Sequence, residues 1–357
     1  MDQTASAIAH PFSVPPLPGT ALPVADRVWW LRLPLPMALD HVNAYVLDDG
    51  DLGLTVIDTG TNSPKSRAAW QQVLQGEFAG KPVWRVIASH HHPDHLGLAG
   101  WFQDRGAELW ATRTAWLMAR MLVLDVQALP SQQTMAFWRS AGVDAARLAT
   151  KAAERPFNFA DCVAAMPLGF HRIRQGDVVT MAGRHWDVHI GHGHAPEHAT
   201  FWSRDGDLVI GGDQLLPGIS ANLGVYATEP DADPVADWLE SCTRLARLAT
   251  PAQLVLPGHK LPFTGLPFRI GQMIDNHHSA LARLLDHLAT PQVAVACFQP
   301  LFRRSVGDAE YGLALVEAMA HLNHLHQAGT VVRHRRSDGA WLWQQKQACI
   351  AFPASSA

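Results

Sequence analysis

The densest group of chemically capable side chains is the string "SHHHPDHLG" at residues 89–97. It follows a short apolar run, "PVWRVIA", that predicts a buried strand. Because alternate side chains of a strand project to one side, His90 and His92 are expected to point the same way, and the next turn can bring Asp94 and His95 beside them. Imidazole and carboxylate groups hold zinc, iron or manganese while leaving positions open for water. The pattern therefore predicts a metal site, and the alternative is a polar loop rich in histidine.

Four other segments, one before the histidine string and three after it, place an acidic residue or a histidine beside a predicted strand. They are "VIDTG" with Asp58, "GHGHAPEH" with His198, "LVIGGDQ" with Asp213 and "LVLPGH" with His259. Together with the histidine string, and in this order, these segments resemble the signature of the metallo-β-lactamase fold superfamily. The resemblance runs from about residue 28 to residue 262.

The resemblance implies two metal ions that share a bridging hydroxide, and it implies the ligands of each ion. The first ion would be held by His90, His92 and His198, the second by Asp94, His95 and His259, and Asp213 would bridge the two. Asp58 would hold one of the ligand histidines by its second ring nitrogen. Nitrogen and oxygen ligands without sulfur suit zinc, iron and manganese, and zinc is the default expectation.

Several other histidines are expected to play lesser roles. His192 and His194 flank the second motif and are expected to orient their neighbours rather than bind metal. His41 could reach the mouth of the pocket. His277 and His278 lie on a predicted helix, where a surface or interface role is favoured over metal binding.

Two departures from the family pattern bear on the subtype. The β-lactamases of this fold usually have a cysteine where this chain has Asp213, which disfavours an antibiotic-resistance enzyme. Glu197 stands where many hydrolytic relatives have glycine, which disfavours a glyoxalase II type of thioesterase.

The elements that must position these residues alternate between strands and helices, which indicates an α/β fold. "NAYVLDDGDLGLTVIDTG" predicts a β-hairpin, and Ser63 with Pro64 predicts the start of a helix that runs to about Phe78. The resemblance implies an αββα sandwich. We therefore expect two sheets inside and helices outside.

The predicted domain organisation has three parts and one insertion. The parts are an extended N-terminal segment with no fold of its own (1–25), a metallo-β-lactamase-like catalytic domain (26–265) and a C-terminal winged-helix-like domain (266–348). The helical insertion, at about 114–161, is rich in Met, Leu, Trp and Phe. It either packs in the core or forms one wall of an apolar substrate pocket.

Composition limits the function classes. The formal net charge is −4, which argues against a protein whose main partner is nucleic acid. No stretch approaches the roughly 20 apolar residues that span a bilayer, and the first residues make a poor signal peptide. Cys162, Cys242, Cys297 and Cys349 are widely spaced, which favours buried reduced thiols. We therefore expect a soluble, cytoplasmic protein with no membrane partner.

The leading functional hypothesis is a two-metal hydrolase that acts on a small molecule: an ester, thioester or lactone with an apolar acyl part. In it, Asp94 or a metal-bound water passes a proton to the leaving group. The second hypothesis is a metal-dependent endoribonuclease on single-stranded RNA, for which the arginines of the C-terminal domain could contact phosphates. These are Arg303, Arg304, Arg333, Arg335 and Arg336. The third is a winged-helix nucleic-acid-binding module with an inactive metal domain. The C-terminal domain could also narrow the pocket or form a homodimer contact.

Overall fold

A computed structural model describes residues 7–346 of the chain, in two compact units. The first unit comprises residues 7–128, 155–222 and 237–274, and the second comprises residues 129–154, 223–236 and 275–346.

The second unit therefore includes residues 129–154 and 223–236, which the predicted boundaries place in the catalytic domain. The boundaries themselves stay a prediction. Residues 1–6 of the predicted N-terminal segment and 347–348 of the predicted C-terminal domain lie outside the described residues, as does Cys349.

The first sheet of the first unit has its strands in the order in which the chain makes them. They are β1 (Leu22–Ala25), β2 (Val28–Pro34), β3 (His41–Asp48), β4 (Leu54–Ile57), β5 (Val83–Ile87), β6 (Glu108–Ala111) and β7 (His171–Arg172). Pairing is antiparallel from β1 to β4 and parallel from β4 to β7. The β3–β4 pair is the predicted hairpin, which is thereby confirmed.

The second sheet has the order β12-β11-β10-β9-β8. Its strands are β8 (Val178–Met181), β9 (Arg184–Gly191), β10 (His198–Ser203), β11 (Leu208–Gly212) and β12 (Leu254–Pro257). The pairs from β8 to β11 are antiparallel, and β11 pairs with β12 in parallel.

Large apolar side chains fill the space between the two sheets. Trp30 and Tyr45 of the first sheet and Trp186 and Phe201 of the second belong to one buried cluster. Burial of each such aromatic side chain removes a large apolar area from water, which makes this cluster a main source of stability.

Helices cover the outer faces of both sheets. Against the first sheet, α1 (Pro64–Gln75) buries Trp70, α2 (Pro93–Leu96) buries Leu96 and α3 (Ala99–Gln103) buries Phe102. Against the second sheet, α7 (Pro234–Ala246) reaches strand β9, where the Arg244 guanidinium donates to the backbone oxygen of Ile190. The layers are therefore helix, sheet, sheet and helix, which is the expected αββα sandwich.

Helix α1 begins as the sequence predicts. The Ser63 side chain accepts a hydrogen bond from the Ser66 amide, and Pro64 occupies the first helical position, where it gives up no hydrogen bond. The helix ends at Gln75 rather than at Phe78, because Gly76 leaves the helical conformation.

The N-terminal segment, predicted to be extended and to have no fold of its own, pairs with other parts of the first unit. Strand β1 pairs with β2, and Ala9 forms an antiparallel bridge with Thr264. The side chain of Phe12 packs against the cluster between the sheets. An extended, proline-rich segment has lost part of its backbone freedom before folding, so the cost of fixing it against a sheet edge is small.

The second unit is mainly helical. It contains α5 (Gln132–Ser140), α6 (Ala145–Ala153), α9 (Phe298–Phe302), α10 (Tyr311–Gln327) and the strand pair β13 (Val331–Arg335) and β14 (Trp341–Gln345). Helix α8 (Leu266–His287) begins in the first unit and continues into the second. The assignment of the C-terminal domain as winged-helix-like stays a prediction.

His277, for which a surface or interface role is predicted, is buried, whereas His278 is exposed. His277 is 5% exposed, and its ring stacks on that of His321 from α10 with a 5.4 Å centroid separation. Cys242 and Cys297 are buried free thiols as expected, and Cys162 is a half-buried one. Among the described residues, no helix has the length and apolar character that a membrane span requires.

Candidate metal centre

The ends of four strands bring the candidate ligands together. Asp58 directly follows β4, and His90 follows the neighbouring parallel strand β5. In the second sheet, Asp213 follows β11 and His259 follows the neighbouring parallel strand β12. Because neighbouring parallel strands end at the same edge of a sheet, each sheet delivers its polar residues to one place.

Three histidine side chains form the first ligand group. His90 Nε2 lies 2.9 Å from His92 Nδ1, which lies 3.0 Å from His194 Nε2. His90 and His92 come from the segment after β5, and His194 comes from the loop between β9 and β10. Their three ring nitrogens converge closely enough to bind one ion.

A mixed group of histidines and carboxylates lies beside the first. His95 Nε2 is 3.5 Å from Asp94 Oδ2, and His259 Nε2 is 3.4 Å from the same oxygen. Asp213 approaches both groups, since its Oδ2 lies 3.3 Å from His259 Nε2 and 3.4 Å from His194 Nε2. Asp213 therefore lies within reach of both groups, and its role as a bridge stays a prediction.

Outward hydrogen bonds determine which nitrogen carries the proton in two of the candidate ligand imidazoles. His194 Nδ1 donates to the backbone oxygen of Asn222, and His259 Nδ1 donates to that of His41. A carbonyl oxygen only accepts, so Nδ1 of each ring keeps its proton, and Nε2, directed into the site, is the nitrogen whose lone pair can bind an ion. His41 thus contributes through its backbone, which the sequence did not reveal.

Asp58 lies behind the ligands, as the resemblance implied. Its Oδ2 is 2.7 Å from His95 Nδ1, and its Oδ1 accepts from the Ser89 amide at 2.7 Å. The residue has a positive φ of 58°, a conformation that costs a non-glycine residue on the order of 1–3 kcal/mol. The hydrogen bonds hold Asp58 in this strained position.

Gly258 leaves room for the bridging carboxylate. A Cβ at this position would lie 2.2 Å from Asp213 Oδ1 and 2.8 Å from His95 Cε1, both inside van der Waals contact. The glycine in "PGH" is therefore required by the close approach of the backbone to the site.

The donor set fits divalent cations. His95 Nε2 and Asp213 Oδ1 are buried without a hydrogen-bond partner, which is costly unless another group satisfies them. Ligand-atom separations of 3.3–3.5 Å in the mixed group match the edge of about 3.3 Å expected for a tetrahedron with 2.0–2.1 Å bonds. The residues present therefore suit divalent cations held by nitrogen and oxygen ligands.

Electrostatics separate the two groups. Burial lowers the pKa values of His90 and His92 well below the usual range of histidine, and the neighbouring imidazoles lower both values further. In the mixed group, burial opposes protonation, but the carboxylates outweigh it: they raise the pKa of His95 well above its usual range and that of His259 to about 10. Asp94, Asp213 and Asp58 together make this a site of negative potential that attracts positive charge.

The predicted assignment of His198 as a ligand is not what the geometry shows. His198 Nε2 accepts a hydrogen bond from the Asp213 amide at 3.0 Å, so this nitrogen is not available to an ion. Burial lowers the pKa of His198 to about 3, which keeps the ring neutral. His194, expected to orient its neighbours, instead joins His90 and His92.

In the structure, His194 and not His198 therefore completes the three-histidine group. The difference lies in the structure: His198 starts the fully buried strand β10, whereas His194 follows Gly193 in the loop before it. The other six predicted ligands lie together in the site: His90, His92, Asp94, His95, Asp213 and His259.

Comparison with known families accounts for this geometry. Residues 37–259 match the family described as the metallo-beta-lactamase superfamily. The chain belongs to this superfamily. Residues 281–346 match a second description, the metallo-beta-lactamase-like C-terminal domain, so the superfamily domain is followed by an additional C-terminal domain.

Individual relatives of this superfamily member extend over most of the chain. It is 28% identical over 303 residues to a probable metallo-hydrolase, YqjP, of Bacillus subtilis (strain 168), a match that covers 83% of this chain and 91% of that protein. A shorter match, 33% identical over 113 residues, is to the 2,4-dinitroanisole O-demethylase subunit alpha of Nocardioides sp. (strain JS1661); it covers 29% of this chain and 32% of that one.

Two solved structures are similar over nearly their whole length. A beta-lactamase domain protein from Burkholderia ambifaria is 34% identical with a TM-score of 0.86, and the match covers 97% of this chain and 99% of that chain. The metallo-beta-lactamase family protein TTHA1429 from Thermus thermophilus is 25% identical with a TM-score of 0.75, covering 91% of this chain and 100% of that chain. The protein is therefore a metallo-hydrolase of the metallo-beta-lactamase superfamily.

Proposed function

We propose that this metallo-hydrolase is dinuclear and cleaves an ester, thioester or lactone with an apolar acyl part. The observation that carries the proposal is the position of Asp213, whose carboxylate contacts the three-histidine group on one side and the mixed group on the other. Two cations held there would acidify a water molecule and polarise a carbonyl oxygen. We propose zinc as the first metal to test, with iron and manganese as alternatives.

The chain's own residues have distinct tasks in this proposal. Asp213 and the histidines hold the ions, and Asp58 keeps His95 in one tautomer. Asp94 is more accessible than Asp213, since their side chains are 23% and 8% exposed. Asp94 is therefore the better placed of the two carboxylates to pass a proton to a leaving group.

Apolar groups beside the centre support an apolar acyl part. The ring of His91 stacks on Phe159 at 6.3 Å, and Phe159 contacts Phe157 at 5.9 Å, so aromatic rings lead away from the histidine string. Phe157 is 68% exposed.

Helix α4 (Arg113–Leu124), which contacts the turn that carries Phe159, also exposes apolar side chains. They are spaced on one face of the helix and comprise Leu117, Met121 and Leu124. Exposed apolar side chains grouped in this way are typical of a ligand-binding surface.

The arginines of the second unit give the RNA alternative little support. Arg304 pairs with Glu310, Arg333 with Asp231, and Arg336 with Asp338. Because these charges are partly neutralised by their neighbours, they add little to a phosphate-binding surface. The three thiols that are free among the described residues support our proposal that the protein is cytoplasmic.

The test is a substrate screen with metal-loaded protein. We expect turnover of p-nitrophenyl esters, acyl-CoA thioesters or lactones that increases from short to medium acyl chains and is abolished by a chelator. Absence of turnover on all three classes, together with cleavage of single-stranded RNA, would overturn the substrate class in favour of the endoribonuclease.

A further inference from the structure

The backbone and side chain of Ser89 connect the two ligand groups in a way that the ligand motif does not specify. Ser89 immediately precedes His90 and is 1% exposed. Its hydroxyl lies 2.7 Å from Asp58 Oδ2 and 3.0 Å from His90 Nδ1.

The direction of these hydrogen bonds follows from the chemistry of the groups. An ionised carboxylate only accepts, so the single hydroxyl proton of Ser89 is donated to Asp58. The hydroxyl oxygen then accepts from His90 Nδ1. With its proton on Nδ1, His90 directs the lone pair of Nε2 toward His92 and His194.

The same carboxylate also receives the Nδ1 proton of His95, at 2.7 Å. One buried group therefore orients a ligand of the three-histidine group through Ser89 and a ligand of the mixed group directly. The strained φ of 58° at Asp58 is consistent with a backbone held in place for this double contact.

We propose that Ser89 is a positioning residue that links Asp58 to His90 and so fixes the tautomer of the ion-binding imidazole in the three-histidine group. The inference rests on the proposed dinuclear centre. It predicts that loss of the hydroxyl weakens the binding of one ion and leaves the binding of the other unchanged, because His95 keeps its own hydrogen bond to Asp58.

The experiment is zinc binding to the folded full chain, measured by elemental analysis after dialysis against buffers of fixed free Zn²⁺. In Ser89→Ala, we expect one of the two ions to bind about 10-fold to 100-fold more weakly and the other to bind as in wild type. Ser89→Thr keeps a hydroxyl and is expected to restore binding to within a few-fold of wild type.

The matched control is Ser66→Ala. Ser66 is also fully buried in the first unit, but its hydroxyl bonds that of Ser63 at 2.9 Å and reaches no ligand. The control should bind both ions as wild type does. Wild-type affinity for both ions in Ser89→Ala, with that variant folded, would overturn the proposal for Ser89.

A second measurement does not depend on the folding of a variant. In zinc-loaded wild type carrying ¹⁵N-labelled histidine, the Nδ1 proton of His90 should give a slowly exchanging signal, and its location on Nε2 would also overturn the proposal. A wild type that binds one ion contradicts the dinuclear centre but leaves the effect of Ser89→Ala on that ion measurable. A wild type that binds none overturns both.

Discussion

The two units each contain a cluster of buried histidines, and the surroundings of the clusters differ. In the first unit, the lone pairs of His90 and His194 converge on His92, and carboxylates lie beside them. In the second unit, His321 Nδ1 donates to the backbone oxygen of Glu317, so its Nε2 accepts from His277 Nδ1 at 3.3 Å.

The comparison shows what distinguishes a metal centre from a histidine-rich core. In the second unit, the lone pair on His321 Nε2 accepts the Nδ1 proton of His277, so the two rings form a hydrogen bond while both are neutral. In the first unit, outward hydrogen bonds to carbonyl and carboxylate oxygens leave Nε2 of His95, His194 and His259 facing carboxylate oxygens inside the site. A cation can relieve that arrangement, and the carboxylates balance its charge.

The largest expected effect comes from removing the shared carboxylate. Asp213→Asn keeps the shape of the side chain but removes its charge, so we expect fewer than two ions per chain and a loss of hydrolysis greater than about 100-fold. The measurement is elemental analysis beside turnover of the best ester from the screen. An Asp213→Asn protein with two ions and near wild-type turnover would mean that the carboxylate does not define the centre.

The next largest effect distinguishes the role of His194 in metal binding from that of His198. His194→Ala removes a nitrogen of the three-histidine group, and we expect loss of one ion. His198→Ala removes a hydrogen bond to the Asp213 amide, and we expect both ions to bind with affinity reduced by about 10-fold to 100-fold. The reverse pattern in zinc titrations would restore the assignment made from the sequence.

Acidification should destabilise the second unit through its neutral histidine pair. Burial lowers the pKa of His277 to about 3 and that of His321 to about 4, from the usual 6.5. Above pH 6.5 both states are unprotonated and stability is complete. As the pH falls below 6.5, these histidines become protonated in the unfolded chain but stay neutral in the folded protein. The free energy of unfolding therefore decreases by on the order of 2 kcal/mol per histidine at pH 5.

The pH effect is checked by thermal denaturation of wild type and of the double variant His277→Leu/His321→Leu between pH 8 and pH 5. Neighbouring groups that also titrate or carry charge remain in both proteins, namely Asp233, His278, Arg283, Glu317 and His324. We expect the melting temperature to fall more steeply with acidity in wild type. Parallel curves would show that the pair is not responsible.

The smallest expected effect concerns Glu197, whose side chain accepts from the Thr114 amide in the first turn of α4 at 2.8 Å. A negative charge near a helix N-terminus contributes about 0.3–1 kcal/mol, so Glu197→Gln should lower the free energy of unfolding by less than about 1 kcal/mol. Metal content should not change. Chemical denaturation measures the first quantity, and loss of an ion would show that Glu197 also supports the metal loop.

Much of the centre could be predicted because ligand spacing is local. The segment from His90 to His95 places its ligands through one strand end and one turn, and the strand ends after "VIDT", "LVIGG" and "LVLPG" supply the others. Which of His194 and His198 joins the three-histidine group could not be predicted in the same way. Both lie within five positions, and only the packing of β10 decides which ring faces the site.

Two other features of the structure were not predicted, for different physical reasons. His277 could have been predicted as buried, because Met273, His277, Leu281 and Leu284 follow the apolar spacing of one helix face. The pairing of the N-terminal segment could not, since the Ala9–Thr264 bridge joins residues far apart in sequence. Long-range contacts of this kind leave no periodic signal in either segment.

The central claim, that seven side chains hold a pair of ions around Asp213, is tested most directly by the metal content of the wild-type chain. After loading with Zn²⁺, iron or manganese and removal of unbound ions, we predict two ions per chain for at least one of these metals. A folded protein that retains one ion or none under all three conditions would contradict the claim.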